Sequence, residues 1–299
     1  MDWIFYAGLA VGALGAIAMN LGNGVQKMKV HVLTKGWAMF SREYRRDRRI
    51  WLMGVIGSTI SAGLFSYAMN LTDKPSTISS LVGIGLIALV IFAWLVLKEK
   101  IGPREITGCA MVIIGTTVLA YFEVPIEDPA SFVLVELITY IGIIMAAFAL
   151  LVVYTLVTGN LHGVIFGCLA GTFIGIGLFI ADIALVESGG SFLGQLKNPY
   201  PYVAMVAGVS ALAVTQVGFL RARAVVVVPC QNSFTILIPL LLEYLVYTIH
   251  LSPPQYLGIV VLIPGVIVLS TTSAGARELG DIAGPHEDGK EKGTYEQSG

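Results

Sequence analysis

The stretch Thr215–Phe234 reads TQVGFLRARAVVVVPCQNSF and contains two apolar runs separated by a short basic turn. The first run ends at Arg221, and the second opens on four valines after Arg223. Two apolar runs that meet at arginines are typical of a helical hairpin that crosses a membrane twice. The proline and the amides after the valines would then lie inside the second span, where polar side chains and a proline require a structural or functional explanation.

The composition extends this interpretation to the whole chain. Hydrophobic residues make up 56% of it and charged residues 12%, whereas soluble domains carry about 25% charged residues. Apolar runs of about 20 residues recur, each long enough to cross a hydrocarbon layer about 30 Å thick. We therefore predict an all-α integral membrane protein with nine transmembrane helices. The predicted spans cover residues 3–22, 50–70, 76–97, 104–122, 132–157, 162–186, 202–220, 224–248 and 254–272.

The basic residues predict the orientation of these spans. With nine spans, all Lys and Arg residues except Lys74 and Lys197, 16 of 18, fall on one side. Basic connections stay in the cytoplasm, so we expect the N-terminus outside and the C-terminus inside a cell membrane. The basic connection 27–49 is expected to anchor this topology and to touch anionic lipid rather than nucleic acid. Residues 1–272 would form the membrane domain, and 273–299 a disordered, charged cytoplasmic tail.

Little in the sequence favours an enzyme or a bound cofactor. The three cysteines, Cys109, Cys168 and Cys230, lie singly within apolar runs, which is typical of small buried hydrophobic residues. There is no CxxC pair, the four histidines are scattered, and no phosphate loop of the form GxxxxGK followed by Ser or Thr occurs. We expect no cofactor and no covalent catalysis. An integral-membrane enzyme and a scaffold without transport activity remain as less favoured alternatives.

A weak internal repeat points to a function. Residues 67–119 resemble residues 219–269, with GCAMVIIG at 108–115 over GIVVLIPG at 258–265. A polar cluster follows an aromatic residue in each copy, Thr77 and Ser79 in the first. With nine spans the two copies, within halves of about 1–122 and 132–272, have opposite orientation. Inverted repeats are the architecture of many secondary transporters that work by alternating access, with the substrate site near the midplane between the repeats.

Four segments carry a resemblance to a known family: GNGVQK at 22–27, RRIWLMG at 48–54, WLVLKEK at 94–100 and TQVGFLRARAVVVVP at 215–229. On these segments the chain resembles the drug/metabolite transporter superfamily, and within it the nine-span NIPA-type magnesium transporters; the resemblance covers nearly all of residues 1–272. The last segment has the family's pattern of a Gln, an aromatic-Leu pair and a Val-Pro pair. Arg221 replaces a usual Asn, Thr77 a usual Pro, and Gly63 a usual Asn. The resemblance implies transport of Mg²⁺ or another divalent cation.

The polar residues after the valines are the leading candidates for a substrate site. At 1.5 Å per residue, Gln231 and Asn232 lie about 12–14 Å into the membrane from the basic turn, close to the midplane. Pro229 removes a backbone hydrogen bond at that depth, which favours a site facing protein or a water-filled cavity. Packing between helices is the alternative for these side chains. The same alternatives apply to Ser233, Gln216, Asn20 and Asn23.

Three carboxylates lie within predicted spans, near their outer ends: Glu136, Asp182 and Glu243. Mg²⁺ prefers carboxylate and carbonyl oxygens, so Glu136, Asp182 and Asn232 are the candidate contacts for a transported ion. Export of an organic solute, such as an amino acid, a cationic drug or a lipid-like metabolite, is the alternative. The expected partners are the solute or Mg²⁺ and the lipid bilayer, without nucleic acid, and both a monomer and a homodimer remain open. Glu99, between two lysines at the cytoplasmic edge, is expected to be structural.

Overall fold

The computed structural model describes residues 2–72, 78, 80–122, 133–188, 194, 197–247 and 251–282. Within these residues the chain forms nine α-helices and no β-strand. The helices are α1 Asp2–Lys29, α2 Arg45–Thr72, α3 Val82–Leu95, α4 Pro103–Tyr121, α5 Leu134–Thr158, α6 His162–Glu187, α7 Tyr200–Arg221, α8 Ala224–Tyr247 and α9 Pro253–Ile282. A 3₁₀ segment, Val30–Phe40, follows α1.

Each predicted span corresponds to one of these helices, with two notable differences at the ends. The first span was expected to end at residue 22, but α1 continues to Lys29. Gly22 and Gly24 lie inside the helix and serve close packing, because a Cβ on Gly22 would strike Ser58 of α2 and one on Gly24 would strike Phe92 of α3. At the other end of the chain α9 continues to Ile282, whereas residues 283–299 of the predicted tail, and Thr77 and Ser79 of the repeat, lie outside the described residues.

Six of the helices are long and apolar enough to cross a membrane. They are α1 and α5 to α9. The described part of α3 is apolar but only 14 residues long. The fold class is therefore that of an all-helical integral membrane protein, while the number of nine crossings and their direction stay predictions.

The helices pack in two similar groups. In the first group α1 packs against α2 and α3, and in the second α6 packs against α7 and α8. Helices α4 and α9 pack against each other, and α5 packs against α6 and α8 within the described residues. If α1 to α4 correspond to α6 to α9, the first helix of each group packs against the next two, and the third helix packs against the fourth. The predicted repeat expects this order of contacts, and the repeat itself stays a prediction.

Glycines set the contact between α4 and α9. A Cβ on Gly115 would lie 2.9 Å from the Gly258 carbonyl oxygen, and one on Gly108 would lie 3.2 Å from that of Gly265. The reverse contacts, from Gly258 to Gly115 and from Gly265 to Gly108, are equally close. Because the lower number on α4 meets the higher number on α9, the two helices run antiparallel. The aligned motifs GCAMVIIG and GIVVLIPG thus face each other with opposite direction.

Helix α8 lies at the centre of the bundle, and α5 lies at its edge. Val225 to Val228 are 0–1% exposed and belong to the main hydrophobic core, together with Phe219 and Cys109. Of the most apolar stretch of each helix, only 11% of the residues in α5 are buried, against 67% in α8. The exposed aliphatic surface of α5 suits contact with lipid. The valines of the quoted stretch therefore fill the core, and the polar group after them is also inside the protein.

Candidate functional site

Helices α1 and α8 are joined by a pair of buried asparagines. Asn232 Nδ2 donates to Asn20 Oδ1 at 3.1 Å, and both residues are at most 4% exposed. Asn20 Nδ2 donates to the Ala16 carbonyl one turn earlier in α1, at 3.0 Å. Gly85 of α3 packs directly on this turn, since a Cβ there would overlap Ala16 and Asn20. The pair therefore sits where α1, α3 and α8 meet.

A second set of buried amides lies one to two turns closer to the basic turn. Gln216 Nε2 of α7 donates to Gln26 Oε1 of α1 at 2.7 Å, and Trp51 Nε1 of α2 donates to Gln216 Oε1 at 3.0 Å. Gln26 Nε2 then donates back to Ser58 Oγ of α2 at 2.9 Å. Gln231, in α8, accepts from Thr215 Oγ1 at 3.3 Å. We call Asn20, Gln26, Gln216, Gln231 and Asn232 the amide network; they form three hydrogen-bonded sets, Asn20 with Asn232, Gln26 with Gln216, and Gln231 with Thr215.

The amide network joins the two groups of helices. Its members on α1 bind members on α7 and α8, so the hydrogen bonds cross between the groups. In the described part of the chain, no buried side-chain nitrogen or oxygen lacks a hydrogen-bond partner. A polar solute that entered here would exchange these bonds for its own. The network offers amide N–H donors and amide oxygen acceptors in the same place, and it has no net charge.

Pro229 does free a backbone carbonyl, as its position in α8 predicts. The carbonyl four residues earlier is that of Val225, and Cys109 Sγ of α4 lies 3.8 Å from it, at hydrogen-bond distance for sulfur. Val225 and Pro229 are both buried. The freed oxygen thus lies beside a thiol in the core. Ser233 binds its own helix, donating to the Pro229 carbonyl at 2.8 Å.

A cluster of charged side chains holds the joint between α7 and α8. Lys27 Nζ donates to the carbonyl oxygens of Phe219 and of Ala222, the latter at 2.7 Å. These carbonyls end α7, where the helix dipole is negative and a cation is favourable. Glu99 does the opposite at the start of α8, because its two carboxylate oxygens accept from the backbone N–H groups of Ala224 and Val225 at 2.7 and 3.2 Å. The expectation that Glu99 is structural agrees with this contact.

Two arginines of the joint extend these contacts to other helices. Arg223 forms a salt bridge of 2.7 Å with Glu105 of α4 and donates to the Lys100 carbonyl at 2.6 Å. Arg221 lies 2.8 Å from His162 Nε2, at the start of α6. The ends of α1, α3 and α7 and the starts of α4, α6 and α8 therefore meet at this end of the bundle.

The three predicted carboxylates lie elsewhere. Glu136 is in the first turn of α5 and Asp182 is near the end of α6, and both are exposed, while Glu243 of α8 is half-buried. Counting residues along α8, Glu243 lies about 16 Å beyond Asn232, away from the joint. No group of three or more His, Cys, Asp or Glu residues that could hold a metal occurs within the described ranges.

The structure thus brings together four of the ten predicted site residues, places three more next to them and separates the three acids from them. Asn20, Gln216, Gln231 and Asn232 belong to the amide network. Asn23 is buried in α1 between two network residues, Pro229 and Ser233 lie beside the network in α8, and the three acids are remote.

Sequence reasoning missed Gln26, Trp51 and Lys27. The signal for Gln26 and Lys27 was a spacing of three to four residues from Asn20 to Asn23 and on to these two, one face of a helix that continues past residue 22. Nothing in the sequence marked Trp51.

Together, the apolar helices and the buried polar network define an integral membrane protein. Comparison with protein families then gives a more specific likeness: residues 4–121, which include α1 to α4, match the EamA-like transporter family. This match supports the wider resemblance to the drug/metabolite transporter superfamily. It gives no support to the narrower resemblance to the NIPA-type magnesium transporters. Comparisons with curated proteins and with solved structures gave no match.

Proposed function

We propose that this protein is a secondary transporter that works by alternating access, with the amide network as its substrate site. The observation that carries the proposal is the set of hydrogen bonds from α1 to α7 and α8. They join helices of the two groups near the expected midplane, where transporters built from inverted repeats bind their substrates. The match of residues 4–121 to the EamA-like transporter family supports the same function.

We further propose that the substrate is a small polar organic solute, uncharged or zwitterionic, such as an amino acid. Amide groups both donate and accept, so they can bind a solute that does the same without changing the charge of the site. Trp51, whose indole N–H binds Gln216, adds an aromatic wall at this level. The described carboxylates that would favour a cation lie away from the network, as Glu136 and Glu243 illustrate.

Transport of Mg²⁺, which the resemblance to the NIPA-type family implies, is the second candidate. Amide oxygens such as Asn20 Oδ1 and Gln26 Oε1 are hard ligands, and Mg²⁺ usually keeps several waters when proteins bind it. In this case Glu136 and Asp182 would attract the ion at the outer end, and Asn232 would contact it inside. The two candidates predict different sensitivities to these residues.

The test is uptake into proteoliposomes that contain the purified full chain. One set receives radiolabelled alanine, serine and glutamine, and the other receives Mg²⁺ reported by an entrapped dye. Asn232→Ala and Glu136→Gln are compared with the unchanged protein. Gln255→Ala is the matched control, because Gln255 is a buried amide whose oxygen accepts hydrogen bonds from Ser252 at the start of α9, outside the amide network.

We expect saturable amino-acid uptake that Asn232→Ala lowers at least about tenfold and Gln255→Ala leaves near the unchanged rate, for equal amounts of folded protein. Mg²⁺ uptake that both Asn232→Ala and Glu136→Gln abolish would instead establish the second candidate. Absence of uptake in both sets, with the protein folded, would contradict the proposed substrates.

The remaining proposals concern the membrane topology and domain organisation of the transporter. The distribution of Lys and Arg supports a cell-membrane protein with its N-terminus outside and its tail in the cytoplasm. Residues 1–272 would form the transport domain, and its two halves would meet at the amide network. We propose no enzymatic activity.

A further inference from the structure

The joint between α7 and α8, residues 219–225, is held from three sides by charged groups. Lys27 binds the end of α7, Glu99 binds the start of α8, and Arg223 binds Glu105 on α4. We call Lys27 and Glu99, with the backbone groups they bind, the clamp. Its position follows from the chain: Gln216 precedes Ala222 by six residues, about 9 Å along α7, and Gln231 follows Ala224 by seven, about 10 Å along α8.

The two halves of the clamp act on opposite ends of neighbouring helices. A lysine on carbonyls at a helix C-terminus and a glutamate on N–H groups at a helix N-terminus each complement the helix dipole. Hydrogen bonds to charged groups are about twice as strong as neutral ones. The clamp therefore fixes how α7 and α8 emerge from the joint, and with it the separation of the network residues that the two helices carry.

The clamp is also polar and reversible, unlike the apolar contacts around it. Lys27 and Glu99 are only half-buried, and the joint residues Arg221, Ala222 and Arg223 are exposed or half-buried. Water can thus replace these hydrogen bonds when the helices separate, at a far smaller cost than for a fully buried charge. The valines just beyond the joint are fully buried, so water cannot replace their contacts in the same way.

We propose that Lys27 and Glu99 are positioning residues whose clamp closes the route between the amide network and the cytoplasmic side, and that its release opens this route. This inference rests on the proposed transport function for its meaning, but its test needs no substrate. Release frees the end of α7 and the start of α8 together, because one clamp residue binds each.

The test measures how fast a thiol inside the network reacts with a membrane-impermeant reagent. Thr215→Cys is placed in a full chain whose three native cysteines are alanine, and a charged methanethiosulfonate is applied from the cytoplasmic side. Thr215 is 3% exposed and lies against Gln231. Cysteine is close to threonine in size, so the reporter disturbs the site little.

We expect Glu99→Gln and Lys27→Gln to raise the labelling rate by about tenfold or more, since a hydrogen bond to a charged group is worth at least that factor. Lys27→Arg keeps the charge and the donors and should label as slowly as the parent. Lys29→Gln and Glu43→Gln are the matched controls, because Lys29 binds Asp47 outside the clamp and Glu43 is exposed. Equal labelling rates in all variants would overturn the proposal.

A second measurement uses the unchanged protein, in case the clamp variants do not fold. Hydrogen exchange of the Ala224 and Val225 amides reports the opening of the Glu99 contact. We expect both to exchange together and faster than the amides of Cys230 and Gln231 deeper in α8. Protection equal to that of the helix interior would overturn the proposal. Opening of the clamp without uptake of any tested solute would refute the proposed substrates and leave the clamp standing.

Discussion

At the scale of single residues, the interior of this protein is connected by a few amides among many aliphatic side chains. Asn20 and Asn232 are 212 positions apart in sequence and share one hydrogen bond of 3.1 Å. Each asparagine alone could be a packing contact between helices. The neighbouring chain from Trp51 through Gln216 to Gln26 makes isolated packing a poorer description, because four side chains from three helices are linked in one series.

The Asn20–Asn232 bond should be measurable as a coupling free energy. Asn20→Ala, Asn232→Ala and the double variant form a cycle in which unfolding is followed in detergent. We expect a coupling of about 0.6–1.7 kcal/mol, the range found for hydrogen bonds between membrane helices. The control cycle pairs Asn20→Ala with Gln255→Ala, which share no contact and should be additive. Additivity in the first cycle as well would contradict the bond.

At the scale of helices, close contact at glycines determines the pairing of α4 with α9. A Cβ added at Gly115 would lie 2.9 Å from the Gly258 carbonyl oxygen, and one added at Gly258 would lie 3.2 Å from that of Gly115, so a larger residue at either position requires its neighbours to move. The seven-residue spacing of the glycines in each helix, two turns, keeps both on one face. Small residues that allow helix backbones to approach are the usual basis of such contacts in membranes.

Gly115→Ala should therefore weaken the bundle. The added Cβ would lie 2.6 Å from the Leu262 Cβ and 2.9 Å from the Gly258 oxygen. We expect a loss of about 1–3 kcal/mol in the free energy of unfolding, typical of overpacking, measured by denaturant titration in detergent. Gly142→Ala is the matched control, since nothing lies within 4 Å of the position of its Cβ in α5. A Gly115→Ala variant as stable as the control would refute the close contact.

At the scale of the whole molecule, the basic residues and the contacts at the joint agree on one end of the bundle. Lys27, Lys29, Arg221 and Arg223 lie at this end, where the ends of α1 and α7 meet the starts of α2 and α8. The 3₁₀ segment is at the same end and exposes Trp37 and Phe40, with Arg48 over the Phe40 ring at 5.5 Å. Aromatic and basic side chains together suit the interface with anionic lipid.

This end should be the cytoplasmic one. A single cysteine at exposed Arg42 should react with impermeant thiol reagents only from the inside in right-side-out cells, and one at Lys197 only from the outside. Both positions are exposed at a surface. The reason is the retention of basic connections in the cytoplasm. Labelling of both cysteines from the same side would contradict the alternating topology.

Much of the fold could be predicted because long apolar runs bounded by Pro, Gly and charged residues determine where helices begin and end. The end of α1 could not be predicted, because the sequence GNGVQK is typical of a turn. Its helical form goes with contacts that only the structure shows, from Gln26 to α2 and from Lys27 to the end of α7. The amide network could be predicted only in part. Gln231 and Asn232 could be predicted from their depth along a span. Trp51 could not, because its part in the site depends on which helices are neighbours. Glu136 and Asp182 were grouped with Asn232 as contacts for an ion, but they lie on α5 and α6, whereas Asn232 lies on α8.

The most direct test of the central claim, that the amide network is a substrate site open in turn to both sides, is thiol accessibility at Asn232. Asn232→Cys, in a chain with the three native cysteines changed to alanine, is exposed to a charged methanethiosulfonate from each side of oriented vesicles. We predict reaction from both sides, with Leu240→Cys, also buried in α8, as a control that reacts from neither. Reaction only after denaturation would contradict the claim and make Asn232 a packing residue between α1 and α8.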